Sequence, residues 1–297
     1  MSRRTPIDTL LAPRVSALTS VVTSALAGEP EAVHQTRVAS RRLREVLPAF
    51  VAADTRRGRD VAAAVRRVTR ALGSVRELDV ALGLFDAAVT ADGLRPVARA
   101  TARRALQTAR SSALRQARTT LTPARVARLR ARLDALTAPT APTAALDREG
   151  MSAALHARTL RAGRRLRKAV DHVTTVYAPA RLHRVRIAVK RLRYALEAEG
   201  AARGARRASS QVQQLRAIQD LLGRAHDLHV LEEFLQGVQR RVVTRSRAAA
   251  RDLAVFGLAL ERECRALHAA FLSRRPALLA LAAALTAAPA APARSVA

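Results

Sequence analysis

The chain has 297 residues, a net charge of +30, 49% apolar and 2% aromatic residues, and no tryptophan. Alanine, leucine and valine must fill its core, which suits packed helices, and a body this basic attracts polyanions: nucleic acid, polyphosphate or an anionic membrane. Cys264 is the single cysteine, which excludes an intramolecular disulfide and any multi-cysteine metal site and fits a reducing cytoplasm.

Helical periodicity runs along nearly the whole chain and no stretch alternates with period two. An all-α fold is expected. The N-terminus opens on an arginine pair and reaches Ala25-Leu26-Ala27, which has the look of a cleavage site. Asp8, Pro13 and Arg14 interrupt any hydrophobic region, while Val15, Leu18, Val22 and Leu26 recur at helical spacing. The expectation is a bundle helix, not a secretion signal. No apolar run is expected to reach the roughly 18 residues of a membrane span. Breakers fall near Gly28–Pro30, Thr55–Gly58, Ala91–Gly93, Thr122–Pro123, Ala138–Thr143, Ala178–Pro179, Glu199–Gly204 and Arg274–Pro276. They divide the chain into about nine or ten helices.

The two halves are alike. VHQTRVASRRLREVL at 33–47 matches LHRVRIAVKRLRYAL at 182–196, and LGSVRELDV at 72–80 matches LGRAHDLHV at 222–230, at offsets of 149 and 150. Two motifs in one order at one offset indicate internal duplication. The organisation expected is a first helical repeat over 1–138, a linker over 139–145, a second repeat over 146–287 and a disordered tail over 288–297. The repeats are expected to form two similar helical bundles related by a pseudo-two-fold axis.

On a helix turning about 100° per residue, His34, Arg37, Arg41 and Arg44 fall within roughly 80° of one another, and His183, Arg186, Lys190 and Arg193 repeat the pattern. Each row is about 15 Å long at about 1.5 Å per residue. Leu43, Val46, Leu47 and Phe50, and then Leu192, Ala195 and Leu196, take the opposite side. Like charges at i,i+4 are mutually unfavourable by a few tenths of a kcal/mol, yet no acid is interspersed in either row. One such row reads equally well as a solvated face; its repetition favours a site. Arg66 and Arg76 near Gly73, and Arg216 and His226 near Gly223, extend both rows, and the two glycines suggest close approach or room beside them. A further row, Arg158, Arg161, Arg165, Lys168 and His172, occurs only in the second half; Arg161, Arg165 and Lys168 are its additional candidates.

These motifs resemble the CHAD family, an all-helical domain named for its histidines. The family shows H-x-x-R-x-x-x-[RK]-R-L-R and LG-x-x-[RH]-[DE]-L-x-V in each of two repeats, and both signatures occur here twice, in order. The resemblance covers about 6–285. It implies inorganic polyphosphate bound along a basic channel between two four-helix bundles. His34, Arg37, Arg41, Arg42 and Arg44 match the first copy of the leading motif, and His183, Arg186, Lys190, Arg191 and Arg193 the second. Two positions depart from the pattern, Glu77 where aspartate is usual and His229 opposite Asp79. Independently, the guanidinium fork suits closely spaced phosphates, and histidine gains a proton beside them.

The reading is therefore non-catalytic polyphosphate binding without cofactor or metal, in the cytoplasm and at polyphosphate granules, within phosphate metabolism. Non-specific nucleic-acid binding is the alternative, although the aromatics are scattered and read as core instead of stacking platforms. Polyphosphate or triphosphate hydrolysis is a second alternative. Against it, no E-x-E-x-K strand and no phosphate loop is present. Glu77 with Asp79, Asp220 with Asp227, and His226-x-x-His229 with Glu233 are possible metal groupings in principle. The first half lacks the histidine cluster, so acids pairing with arginines are expected instead.

Overall fold

The computed structural model describes residues 7–51, 55–92, 94–138, 148–204 and 209–287. All the regular structure among these residues is helical. A π-helical turn at Ile7–Leu11 leads into α1 (Ala12–Thr19) and α2 (Val22–Ala27). Then come α3 (Pro30–Val46), α4 (Arg56–Ala71), α5 (Gly73–Asp92), α6 (Pro96–Thr120) and α7 (Pro123–Thr137). The second half holds α8 (Arg148–Asp171), α9 (Pro179–Ala202), α10 (Ser210–Val242) and α11 (Arg247–Thr286). The segments 139–145 and 288–297, expected as linker and tail, lie outside the described residues.

The starts and stops have local causes. Gly28 ends α2 with φ 105°, where a Cβ would also sit 2.7 Å from Leu114 Cδ2; the left-handed conformation and the close approach both call for glycine. Pro30, Pro96, Pro123 and Pro179 open helices at positions that need no N–H. Thr55, Thr122, Ser209 and Ser246 accept from backbone N–H groups in the first turn. Arginines close other ends: Arg130 donates to Thr19 O at 3.0 Å, and Arg118 to Leu26 O and Ala27 O at 2.8 and 3.1 Å. These bonds satisfy carbonyls that a helix end leaves without a partner.

One expected break is absent. Pro276 lies inside α11, which continues to Thr286. Proline in a helix interior costs about 3 kcal/mol, and burial of Leu278, Leu281 and Ala282 beyond it offsets that cost. Conversely, the chain breaks at Ser20–Val21, at Leu72 and over 243–246, which the sequence pattern does not mark.

Three apolar clusters hold the helices together. The first joins α1–α4 and α7 with Met151 and Leu155 of α8. The second joins α8, α9, the early part of α10 and the late part of α11. The third unites the two halves: Ala81 and Phe85 of α5 and Ala98, Ala102 and Leu106 of α6 meet Leu228, Leu231 and Leu235 of α10 and Leu253, Phe256 and Leu260 of α11. Phe85 and Phe256 meet edge to face, centroids 5.8 Å apart. The expectation of no sufficiently apolar stretch is corrected: Thr9–Ala27 and Arg247–Thr286 are long and apolar enough to cross a membrane by length and composition. In this fold both contribute core, from Leu10 to Ala25 and from Leu253 to Ala282.

Candidate functional site

Helix α3 packs on α9, and α5 on α10. Leu43 and Val46 of α3 are buried in the first core, and Leu192 and Ala195 of α9 in the second. Their opposite faces meet at a cavity of about 690 Å³.

His34, Arg37, Arg41 and Arg44 line this cavity from α3, and Arg76 from α5. His183, Arg186, Lys190 and Arg191 line it from α9, and His226 from α10. The remaining sequence candidates lie elsewhere. Arg42 is exposed, 3.8 Å from Glu197. Arg193 is buried, pairs with Glu197 at 2.5 Å, donates to Gln219 and covers the Tyr194 ring. Arg216 reaches Glu197 at 3.2 Å. Arg66 is exposed outside the cavity, as are Arg161, Arg165 and Lys168 on α8. Of the same α8 row, Arg158 turns inward to Glu45 at 2.7 Å, and His172 bonds the Lys168 carbonyl.

Some cavity residues escaped the sequence reading. Arg224 is one, because its counterpart at offset 150 is Ser74 and doubling was the criterion. Gln219 and Tyr194 are others, with no charge to mark them. The glycines fit the suggestion made for them: a Cβ on Gly73 would stand 3.2 Å from Arg37 Nη1, and one on Gly223 would meet nothing within 4 Å.

The electrostatics are those of a crowded cationic cleft. Burial first, then Arg186 and Arg41, push Lys190 down to about 7 against the pull of Asp227. Burial, then Arg186 and His183, push His226 down to about 3. Burial and neighbouring cations likewise lower His34, with Arg76 the strongest of them, and His183, beside Arg186. Arg37 falls to about 10 through burial and then Arg41. Asp227 is raised by burial despite Arg186. Protonation is thus held back where cations converge. His183 Nδ1 and His226 Nδ1 are 3.2 Å apart, so one ring donates and the other accepts.

Several arginines are oriented by what they touch. Arg37 Nη1 donates to Thr69 O at 2.6 Å, at the interruption between α4 and α5. Arg186 Nη2 lies 3.6 Å from Asp227, and its Nε is buried without a partner. A buried unmet donor costs about 1–3 kcal/mol, and its guanidinium belongs to a residue that lines the cavity. Of the acids weighed as metal ligands, Asp79 pairs with Arg110 at 2.5 Å, Asp227 lies 3.6 Å from Arg186 and Glu233 lies 3.5 Å from His229, while Glu77 and Asp220 line the cavity. The arrangement can grip a flexible string of anionic tetrahedra from two sides.

A family model described as CHAD domain matches residues 9–236. No curated protein matches the chain. Among solved structures, the crystal structure of the CHAD domain from the plant Ricinus communis is similar over 95% of this chain and 90% of its own, with 26% identity and a TM-score of 0.59. PptA from Streptomyces chartreusis is similar over 93% of this chain and 97% of its own, with 18% identity and a TM-score of 0.64, a likeness of fold. The matched region contains both copies of both motifs and takes in most of the chain, which belongs to the CHAD domain family.

Proposed function

We propose that the chain binds inorganic polyphosphate in the cavity between α3 and α9, without turning it over. The observation that carries this reading is the convergence of two basic rows from separate halves on one cleft, with the Arg186 Nε donor buried and unmet. Polyphosphate is a chain of closely spaced charges without bases. Guanidinium forks fit it, and stacking platforms are not needed. Tyr194 is the aromatic side chain at the cavity, and it is buried beneath Arg193. That favours polyphosphate over single-stranded nucleic acid, whose bases seek exposed rings. Cytoplasmic residence, with recruitment to polyphosphate granules, follows as part of the same proposal.

Competition between long-chain polyphosphate, RNA and heparin at physiological salt tests it. Polyphosphate should win, with a log–log salt slope near −7 if about ten charges are neutralised. Preference for RNA, or affinity indifferent to salt, overturns the reading. Steady phosphate release in magnesium or manganese, abolished by replacing one acid, overturns the non-catalytic part.

A further inference from the structure

A second row of cations leads out of the cavity on one side. Thr69 of α4 lines the cavity. At about 100° per residue, Arg66 lies roughly 60°, Arg70 roughly 100° and Arg67 roughly 160° around the helix from Thr69, a path from cavity wall to outer surface. All three are exposed, and among the described residues none pairs with a carboxylate. Arg66 is close enough to Arg44 for its charge to help lower that group's proton affinity, after burial. Arg67, Arg70 and Ser74 then open onto a cleft of about 410 Å³, closed on the far side by Ala113, Gln116 and Thr120 of α6.

The second half has no such path. At offset 150 the same three places hold Arg216, tied to Glu197, the small Ala217, and the acid Asp220. Ser74 corresponds to Arg224, which bonds Glu263 of α11 at 2.9 Å. An ion pair therefore lies between the helices in one half, and small side chains leave a hole in the other. No carboxylate lines that hole, so its guanidinium groups meet only neutral Gln, Ser and Thr side chains there and their charge is uncompensated within it.

Resting on the polyphosphate reading of the main cavity, we propose that the α4–α6 cleft is an accessory phosphate subsite, taken up by the part of a long polyphosphate chain that leaves the cavity over Arg66. A bound chain is then asymmetric: it is gripped beyond the cavity on the first half and released to solvent on the second. Chains short enough to fit within the cavity never reach the cleft.

The test compares tripolyphosphate with long-chain polyphosphate on the full chain, with Arg67→Ala/Arg70→Ala and with the charge-matched pair Arg164→Ala/Arg167→Ala on the outer face of α8. Exposed Arg→Ala changes leave helices intact. The first pair should weaken long-chain binding about tenfold through lost effective concentration. It should also make the salt slope shallower by about 1.4, two contacts at about 0.7 each, while tripolyphosphate is unaffected. The α8 pair should leave the length dependence as it was. Equal losses for both ligands, or equal losses from both variant pairs, overturn the subsite and leave the cavity reading standing. Failure of the unaltered chain to bind any polyphosphate overturns both.

Discussion

The two halves carry the same basic motif and use it differently, and one carboxylate accounts for most of the difference. His34 and His183, Arg37 and Arg186, Arg41 and Lys190, and Arg76 and His226 all reach the cavity as matched pairs. Two other pairs split: Arg191 lines the cavity and Arg42 does not, while Arg44 lines it and Arg193 does not. Arg66 and Arg216 both stay out. Three of the four absentees, Arg42, Arg193 and Arg216, surround Glu197. At offset 149 the first half has Pro48 in that place. Duplication preserved the cations, and three of them stand beside a single acid instead of lining the cavity.

Breaking the matched rows should have the largest effect. Arg37, Arg41 and Arg44 to Ala, or Arg186, Lys190 and Arg191 to Ala, should each reduce polyphosphate affinity at least about 100-fold, since charge-assisted bonds contribute about 1.5–3 kcal/mol apiece. The six-fold variant should not bind. Calorimetry on both triple variants measures this, and unchanged affinity in one removes that row from the site.

The pH dependence should be the next largest effect, and it comes mainly from the second half. Burial and neighbouring arginines hold Lys190 down to about 7. A polyanion favours its charged form, so binding takes up protons. Affinity should therefore fall as pH rises through about 7, by up to tenfold per pH unit for each proton taken up. The lowered His34 and His183 add to this on the acid side, again with tighter binding at lower pH. In the free protein the same sign argument applies: an unfolded lysine holds its proton more readily than Lys190, so this group makes stability rise with pH from about 7 upward. Lys190→Arg should flatten the affinity profile around neutrality and leave the histidine part below it. Titration of affinity from pH 5.5 to 8.5 (a range set by these pKa values) compares the two proteins.

Glu197→Gln should have the smallest effect and sharpens the comparison directly. Arg193 would lose its charged partner, at a stability cost of about 1–3 kcal/mol. Arg42 and Arg216, freed from the carboxylate, should raise polyphosphate affinity a few-fold by adding uncompensated charge outside the cavity. Lower affinity together with lower stability would show that Glu197 organises the site instead of withholding cations from it.

The helical fold and most of its breaks were legible because periodicity, proline and glycine act locally. The interruption at Leu72 was not, because its partner comes from another helix: Arg37 takes the Thr69 carbonyl. Pro276 misled for the complementary reason, since burial of the residues after it outweighs a local preference. At the site, helix phase correctly set His34, Arg37 and Arg41 on one face, and doubling added their partners. Phase does place Glu197 one turn on from Arg193 in α9, but it could not say that Arg193 would reach Gln219 across the gap, or that the unmatched Arg224 would join the lining. Those outcomes depend on distances between helices, which no single-helix pattern encodes.

The third apolar cluster has a consequence for how the molecule could be divided. Phe85, Ala102 and Leu106 from one half, and Leu231, Leu235 and Phe256 from the other, are buried in one shared cluster. A half expressed alone would present that greasy surface to water and would find relief by pairing with another copy of itself. In the intact chain both surfaces belong to one molecule, so their association does not weaken on dilution. The walls of the cleft are fastened at a distance from it, by a seam that behaves like a dimer contact whose partner can never diffuse away.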